Sequence, residues 1–356
     1  MRIDFVIGSM TGGGAERVVS LLAKYFAEKN HEVRIITFYG EDAYDYHPTI
    51  KRLRFHKKFI LNYATFGGFF SLMKFYLKKK NRPDYVSTHI GMVGYATILP
   101  AKLYGIKSVV SEHFNHLHQS VTISKWFLWH VLYRLPDAIT VLTKFDLPFF
   151  KKINGNTLIM ENPSSFTLEE NRPEKIQKKI LAVGNLDRYV HKGFDNLLDI
   201  VYEVFKTHPD WNLQIVGGGE SGLKHLIEKT KRLGLENKVE FLGFRKDVKE
   251  IMAKSEIYIL TSRYEGLPMV LIEAMSQGMA CISYDCVSGP SEIIVDGKTG
   301  FLVKDQSKEE MILKLKDLIT NDQLRKTMME NAVKSLDRFH LDNVGAKWEN
   351  LLSSLQ

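Results

Sequence analysis

Apolar residues along the chain fall into two alternating patterns. A short unbroken run, Ile3 to Ile7, leads through Gly12-Gly13-Gly14 into Ala15 to Phe26, where Val18, Leu21, Leu22 and Tyr25 recur at helical spacing. The pattern predicts a strand, a glycine turn and a helix. It continues in strand-like Val33 to Phe38, Tyr85 to His89, Ser108 to Ser111 and Ala138 to Leu142, each followed by a segment of helical length. A second series predicts strands at Ile180 to Val183, Leu213 to Val216, Val239 to Leu242, Ile257 to Leu260 and Ala280 to Tyr284. Strands that alternate with helices build right-handed βαβ units around a parallel sheet covered on both faces. Between the two series, Pro163 to Lys179 is polar and aperiodic, and Pro163 and Pro173 mark it as a linker. The expectation is an α/β protein of two doubly wound domains, residues 1–165 and 166–340, with a ligand held in the cleft between the carboxyl ends of their strands. A last helix, Leu341 to Leu355, places Val344, Trp348, Leu351 and Leu352 on one face, suited to packing back on the N-terminal domain.

Length and composition agree with that organisation, since 356 residues at 44% hydrophobic and 25% charged exceed one domain and exclude a disordered or disulfide-stapled chain. Charge adds something the pattern lacks. The net +8 is divided unevenly: residues 1–165 hold 22 Lys and Arg against 12 Asp and Glu, a net +10, and the remainder hold 27 against 29, a net −2. Eight of the 12 His also lie in the first half, which points to an anionic partner there. Cys281 and Cys286 share one short segment with no further ligand at metal spacing, as buried thiols in a reducing cytosol would. The apolar run after Met1-Arg2 is too short for a secretory signal. The least polar long stretch, His89 to Ile106, carries Lys102 and falls short of the about 20 clean residues a bilayer requires. A soluble or peripheral protein is expected.

Three segments carry candidate chemistry, each after a strand and before a helix. Gly12-Gly13-Gly14-Ala15-Glu16 allows close approach of an anion to free N–H groups, although it matches neither a dinucleotide fingerprint nor a P-loop. Gly184-Asn185-Leu186-Asp187-Arg188-Tyr189-Val190-His191-Lys192-Gly193 offers Arg188 as a fork and Lys192 as a point charge for a diphosphate. In Tyr264 to Ala274, Pro268 suits the first helical position, the N–H groups of Gly266, Leu267 and Met269 should face an anion, and Glu265 and Glu273 can accept from hydroxyls.

These turns, taken in order with Asp296-Gly297-Lys298-Thr299-Gly300-Phe301-Leu302-Val303, resemble a family 4 retaining glycosyltransferase of GT-B fold, two Rossmann-like domains facing across a cleft. The resemblance covers nearly the whole chain. It implies that Lys192 and Arg188 hold the donor diphosphate, that Glu265 binds donor-sugar hydroxyls and that Glu273 accepts from both ribose hydroxyls. Gly13 and Gly14 would bring amides to the phosphate, with Asn185, Phe244, Gly266, Leu267 and Pro268 completing the donor site. His113, in Val110-Ser111-Glu112-His113, occupies the place of the histidine that contacts the transferred sugar. Where the family usually has Arg, this chain has Asn185, so the second cation of the clamp would have to be Arg188. No cofactor or metal is implied: no Asp-x-Asp pair occurs, and cations replace the metal.

The resemblance is closest to enzymes of bacterial surface polysaccharide synthesis that transfer hexoses or N-acetylhexosamines from UDP-sugars to lipid-linked diphosphate acceptors at the inner membrane face, judging by Tyr284-Asp285-Cys286 and Gly289-Pro290-Ser291-Glu292-Ile293-Ile294. Two stretches mix aromatics with cations, as helices on anionic lipid do. Lys57 to Arg82 holds Phe59, Tyr63, Phe66, Phe69, Phe70, Phe75 and Tyr76 among Lys57, Lys58, Lys74, Lys78, Lys79 and Lys80, and Ser124 to Arg134 holds Trp126, Phe127, Trp129 and Tyr133 beside Lys125. The expected location is the cytoplasm, peripheral to the membrane, with a nucleotide sugar, a lipid-linked glycan and the anionic surface as partners. Nucleic acid is not expected, because no recognised binding motif occurs and the aromatics sit in apolar runs. Two other readings stay open: an inverting GT-B transferase with His113 as base, and a non-catalytic nucleotide-sugar binding protein.

Overall fold

The computed structural model describes residues 1–55, 63–119, 121–167 and 177–356. Pro173 of the expected linker and Lys57, Lys58 and Phe59 of the expected lipid-facing stretch lie outside the described residues. The chain divides into two compact units, Met1–Ser165 with Phe339–Gln356, and Phe166–Arg338.

The first unit is built on seven parallel strands: β1 Arg2–Val6, β2 Glu32–Thr37, β3 Lys51–Arg54, β4 Tyr85–His89, β5 Lys107–Ser111, β6 Ala138–Val141 and β7 Thr157–Ile159. Their order is β3-β2-β1-β4-β5-β6-β7, so the direction of winding reverses between β1 and β4. The pattern of apolar positions misses β3 and β7. Lys51-Arg52-Leu53-Arg54 forms an edge strand whose charges hide its apolar content and also block further pairing, and three residues are too few to show alternation in β7.

One polar cluster breaks the apolar run of β1. Asp4, fully buried, faces Arg34 in register on β2, and the guanidinium meets it twice, Nε to Oδ1 at 2.6 Å and Nη2 to Oδ2 at 2.8 Å. Tyr76 donates its hydroxyl to the same carboxylate at 2.7 Å. Burial pushes the Asp4 carboxyl above its ordinary range, and Arg34 and Tyr76 oppose that shift. Tyr76 is thus a core residue and not one of the lipid-facing aromatics expected from Lys57 to Arg82. Phe66, Phe70 and Leu77 on the same stretch are exposed. The second stretch divides similarly. Trp129 and Tyr133 enter the core, and Ile123, Trp126 and Phe127 remain outside.

The last helix, Leu341–Ser354, packs on the first helix, Gly14–Glu28, and buries Val344, Trp348, Leu351 and Leu352. Gly345 makes the crossing possible: a Cβ there would lie 2.4 Å from the ring of Tyr25. Trp348 reaches β4, its ring centroid 6.0 Å from that of His89.

The second unit carries six parallel strands, β8 Gln177–Val183, β9 Asn212–Val216, β10 Val239–Gly243, β11 Ser255–Leu260, β12 Ala280–Tyr284 and β13 Phe301–Val303. Their order, β10-β9-β8-β11-β12-β13, reverses between β8 and β11. Its core combines strand residues such as Ile180, Leu213 and Ile257 with Leu197, Val201 and Val204 of the helix Phe194–Phe205. Cys281 and Cys286 are buried thiols that form no disulfide.

Trp348→Ala removes a fully enclosed aromatic, so it should cost about 3–5 kcal/mol of stability. A urea titration of the variant should show an earlier midpoint for the first unit, and an unchanged midpoint would contradict the packing described.

Candidate active site

The carboxyl ends of β8 and β11, the strands between which the second sheet reverses, hold the two richest candidate turns. After β8, Asn185 caps a short 3₁₀ turn, Leu186–Arg188, its Oδ1 accepting the Asp187 amide at 2.8 Å. Arginine has no acceptor with which to do this. Asn185 therefore shapes the turn rather than supplying a cation, and Arg188 beyond it is exposed and makes no ion pair among the described residues.

A single helical turn, Tyr189–Lys192, then runs into Gly193, left-handed at φ 67°. A Cβ at Gly193 would stand 1.8 Å from the carbonyl oxygen of Thr261, just past β11. Only glycine lets the two turns approach so closely. Several bonds then join them. Thr261 donates its hydroxyl to the Lys192 carbonyl at 3.0 Å, and the Arg263 amide donates to the His191 carbonyl at 2.9 Å. The Arg263 guanidinium holds Asp195 at both oxygens, at 2.9 and 2.8 Å, and also reaches the Val190 carbonyl.

Across this junction Lys192 Nζ meets Glu265 Oε1 at 2.7 Å, and Ser262 donates to the same oxygen at 2.6 Å. The two charged side chains are only 16% and 10% exposed. Burial alone would raise the Glu265 carboxyl, but the Lys192 charge, the two hydrogen bonds and His191 outweigh it and hold the group below its ordinary range. Glu265 is thus a carboxylate, able only to accept. His191 stacks on Tyr264 with centroids 4.0 Å apart and lies 2.8 Å from the Tyr264 carbonyl through Nε2. A carbonyl only accepts, so that nitrogen carries the proton.

The helix after Glu265 spans Met269–Ser276, and Pro268 is its N-cap rather than its first residue. The expected helix start was one position early, because Pro268 takes ψ 95°, an extended value that ends the loop instead of opening the helix. Gly266 and the buried Leu267 lead into this cap. Glu273 is 7% exposed in the second turn. The buried Tyr258 hydroxyl is made less acidic, first by burial and then by the nearby Glu265 and Glu273 carboxylates. Phe244, 77% exposed, follows β10 and sits 3.7 Å from where a Cβ on Gly218 would be.

In the first unit the corresponding ends are those of β1 and β4. Gly12, at φ 117°, turns the chain after β1, Gly13 caps the first helix, and Gly14 starts it with open space around its α-carbon. The carboxylate of Glu16 folds back toward Gly13, and Ser9 Oγ lies 3.4 Å from Glu16 Oε1. His113 lies beyond the end of β5, only 9% exposed, its Nε2 at 2.9 Å from Nδ1 of His89 at the end of β4. Burial lowers the pKa of His113 to about 4. Its neighbour Glu112, also buried, accepts from the Tyr133 hydroxyl and from Trp129 Nε1 at 3.4 Å, and burial raises its pKa despite those bonds.

The structure thus brings Lys192 and Glu265 together, with Glu273 close by. Arg188, Asn185 and Phe244 sit on neighbouring turns of that unit, and His113, Gly13 and Gly14 on the first unit. Sequence reasoning missed Ser262, Arg263, His191 and His89. None has a spacing signature, since Lys192 and Glu265 are 73 residues apart. Their one usable signal is position at the carboxyl end of a strand beside the reversal point.

Comparison with known proteins gives a consistent result. A model of the glycosyl transferases group 1 family matches residues 165–335, and one of glycosyltransferase family 4 matches residues 12–152. The chain is 31% identical to the amylovoran biosynthesis glycosyltransferase AmsD of Erwinia amylovora, over 97% of each protein. It is 29% identical, over 100% of its own length and 99% of the relative's, to the GalNAc-α-(1→4)-GalNAc-α-(1→3)-diNAcBac-PP-undecaprenol α-1,4-N-acetyl-D-galactosaminyltransferase of Campylobacter jejuni. The crystal structure of Anabaena HepE with UDP and glucose superposes with a TM-score of 0.83 at 20% identity, covering 99% of this chain and 100% of that one, which bears on the fold.

Gly193 and Gly105 share φ 67°, but a Cβ at Gly105 would meet nothing within 4 Å. Gly105→Ala should therefore cost only the left-handed penalty, about 1–2 kcal/mol. Gly193→Ala should lower the melting temperature further and uncouple Lys192 from Glu265. Equal shifts for the two variants in thermal unfolding would refute the close approach.

Proposed function

The chain belongs to the family 4 glycosyltransferases of GT-B fold, and on that premise we propose that it is a retaining, metal-independent transferase moving a hexose or N-acetylhexosamine from a UDP-sugar to a lipid-linked glycan in bacterial surface polysaccharide synthesis. The buried Lys192–Glu265 pair carries this reading, because it sets a fixed cation beside an acceptor-only carboxylate at a strand reversal point. A receptor would need hydroxyl acceptors but no buried ammonium aimed at a leaving group.

In the proposed reaction, breaking the bond between the anomeric carbon and the diphosphate leaves negative charge on the departing phosphate. Lys192, as a point charge, and Arg188, as a fork, are oriented for it before the bond breaks. Glu265 accepts from sugar hydroxyls, Glu273 from the ribose, the amides of Gly266 and Leu267 add donors at a helix start, and Phe244 and Asn185 border the nucleotide. Gly13 and Gly14 contribute amides toward the phosphate. The acceptor hydroxyl bonds to the anomeric carbon on the face the diphosphate leaves, and its proton passes to the departing phosphate oxygen. No protein nucleophile is required, and protein cations do what a divalent metal would do. The α linkage in the name of the Campylobacter relative is the outcome expected of retention from an α-linked donor.

The names of the relatives support a surface-glycan role, and the undecaprenol diphosphate in one of them supports a lipid-linked acceptor. No helix among the described residues is long and apolar enough to cross a membrane. Exposed Phe66, Phe70 and Leu77 lie beside Lys74, Lys78, Lys79 and Lys80, and exposed Ile123, Trp126 and Phe127 beside Lys125. That composition fits peripheral binding to anionic lipid at the cytoplasmic face.

Turnover of UDP-, GDP- and ADP-sugars should be measured with membrane extract as acceptor, in EDTA and with magnesium. Nucleotide release from a UDP-sugar, undiminished by EDTA and giving a product of retained configuration, is expected. An inverted product or a metal requirement would overturn the proposal. Glu265→Ala should abolish turnover while the melting curve remains cooperative, and unchanged turnover would remove Glu265 from the site. Flotation with liposomes should increase with anionic lipid fraction and fall in a Phe70→Ser/Trp126→Ser double variant. Indifference to lipid charge would reject the docking surface.

A further inference from the structure

His89 and Ser87 form a buried hydrogen-bonded chain that ends on His113. Ser87 Oγ lies 3.0 Å from His89 Nε2, and His89 Nδ1 lies 2.9 Å from His113 Nε2. Ser87 is 1% exposed and His89 fully buried. The far nitrogen of His113, Nδ1, is buried and has no hydrogen-bond partner. His113 lines a notch at the carboxyl ends of β4, β5 and β6, together with Ser111, Glu112, Thr140, Leu142 and Asn162.

The protons in this chain can be arranged in two ways, because each neutral imidazole has one donor and one acceptor nitrogen. If His113 donates to His89, then His89 donates to Ser87, and the serine O–H is left without an acceptor beside an unpartnered lone pair on His113. If Ser87 donates to His89, then His89 donates to His113, every internal group is satisfied, and the one group left over is an N–H at His113 Nδ1. A water or hydroxyl that reaches Nδ1 can pair with it in either arrangement, so the two differ by the buried serine O–H, which costs about 1–3 kcal/mol without an acceptor and selects the second. Burial pushes both imidazoles toward neutrality, His113 to about 4 and His89 well below its ordinary value, the latter also by the neighbouring His113 charge. Neither ring is therefore protonated at both nitrogens near neutral pH.

We infer that Ser87 and His89 are positioning residues that fix the tautomer of His113, so that it presents an N–H donor to an oxygen of the transferred sugar and cannot act as a general base. The inference deepens the retaining reading proposed above and rests on it for the identity of the ligand. It also removes the inverting alternative. A base at His113 would need a free lone pair at Nδ1, and the lone pair of the other nitrogen is occupied by His89. Trp348 and Phe5 flank His89, with centroids 6.0 and 5.8 Å away, and keep its ring from turning.

The test is a long-range proton–nitrogen correlation spectrum of the full-length protein, labelled with nitrogen-15 in histidine, recorded near pH 7. His89→Asn and His113→Gln assign the signals. Both His89 and His113 should be protonated at Nδ1 and bare at Nε2. In Ser87→Ala that preference should be lost, kcat should fall about tenfold with the donor KM changed less than twofold, and Ser87→Thr should restore both. His113 protonated at Nε2 in the unmodified protein, or a tautomer pattern indifferent to Ser87→Ala, would overturn the inference. The spectrum needs no substrate. The predicted tautomers in a protein that transfers no sugar would therefore defeat the function proposed and leave the proton arrangement standing.

Discussion

Thr261 and Gly193 meet backbone to backbone, and the pairing of Lys192 with Glu265 depends on that contact. With any side chain at Gly193, the turn bearing Lys192 would stand away from the turn bearing Glu265, and the ion pair, the Arg263 clamp on Asp195 and the His191 stack on Tyr264 would be lost together. The contact explains how an ammonium and a carboxylate from distant parts of the chain can be held with little exposure to water. Each charge would be costly to bury alone, and each is tolerable because the other is fixed beside it. The pair is therefore preorganised, as the role proposed for it at a departing phosphate requires.

Polar groups near the reversal points of both sheets obey the same rule: each is held by a neighbour that constrains what it can do. Asn185 is consumed as a cap, which leaves Arg188 as the accessible cation on that turn. Glu265 is held as an acceptor by Lys192 and Ser262. His113 is held by His89, and His89 by Ser87. Burial sets the charge state in each case, and a hydrogen bond decides which atom donates. The C-terminal helix takes part by bringing Trp348 against His89, so a segment outside every motif supports the geometry of the first unit.

Much of the architecture could be read from the chain. Ten strands announce themselves as apolar runs, most of them because they are buried on both faces, and the last helix shows its apolar stripe in Val344, Trp348, Leu351 and Leu352. The strands that escape notice are short or lie at a sheet edge, where charge or brevity erases the pattern. The aromatic stretches mislead for a related reason. Composition records that Tyr76, Trp129 and Tyr133 are aromatic, but burial depends on which side of a helix or turn faces the sheet. Trp126 remains outside and Trp129 goes in, although both belong to one short segment.

Motif order in the sequence determined the family and the alternation of strands and helices, and it named candidate residues in the turns, because those depend on local turns that follow strands. Tertiary structure decided which of those residues act together. Lys192 meets Glu265 because two turns far apart in sequence touch at a glycine. Asn185 gives up its side chain to a cap that the primary structure does not reveal. His113 acquires its donor through Ser87 and His89 on a neighbouring strand. The physical reason is the same each time: a hydrogen bond or a buried charge is defined by what surrounds it, and in a parallel sheet the neighbouring strand is a whole helix and two loops away along the chain.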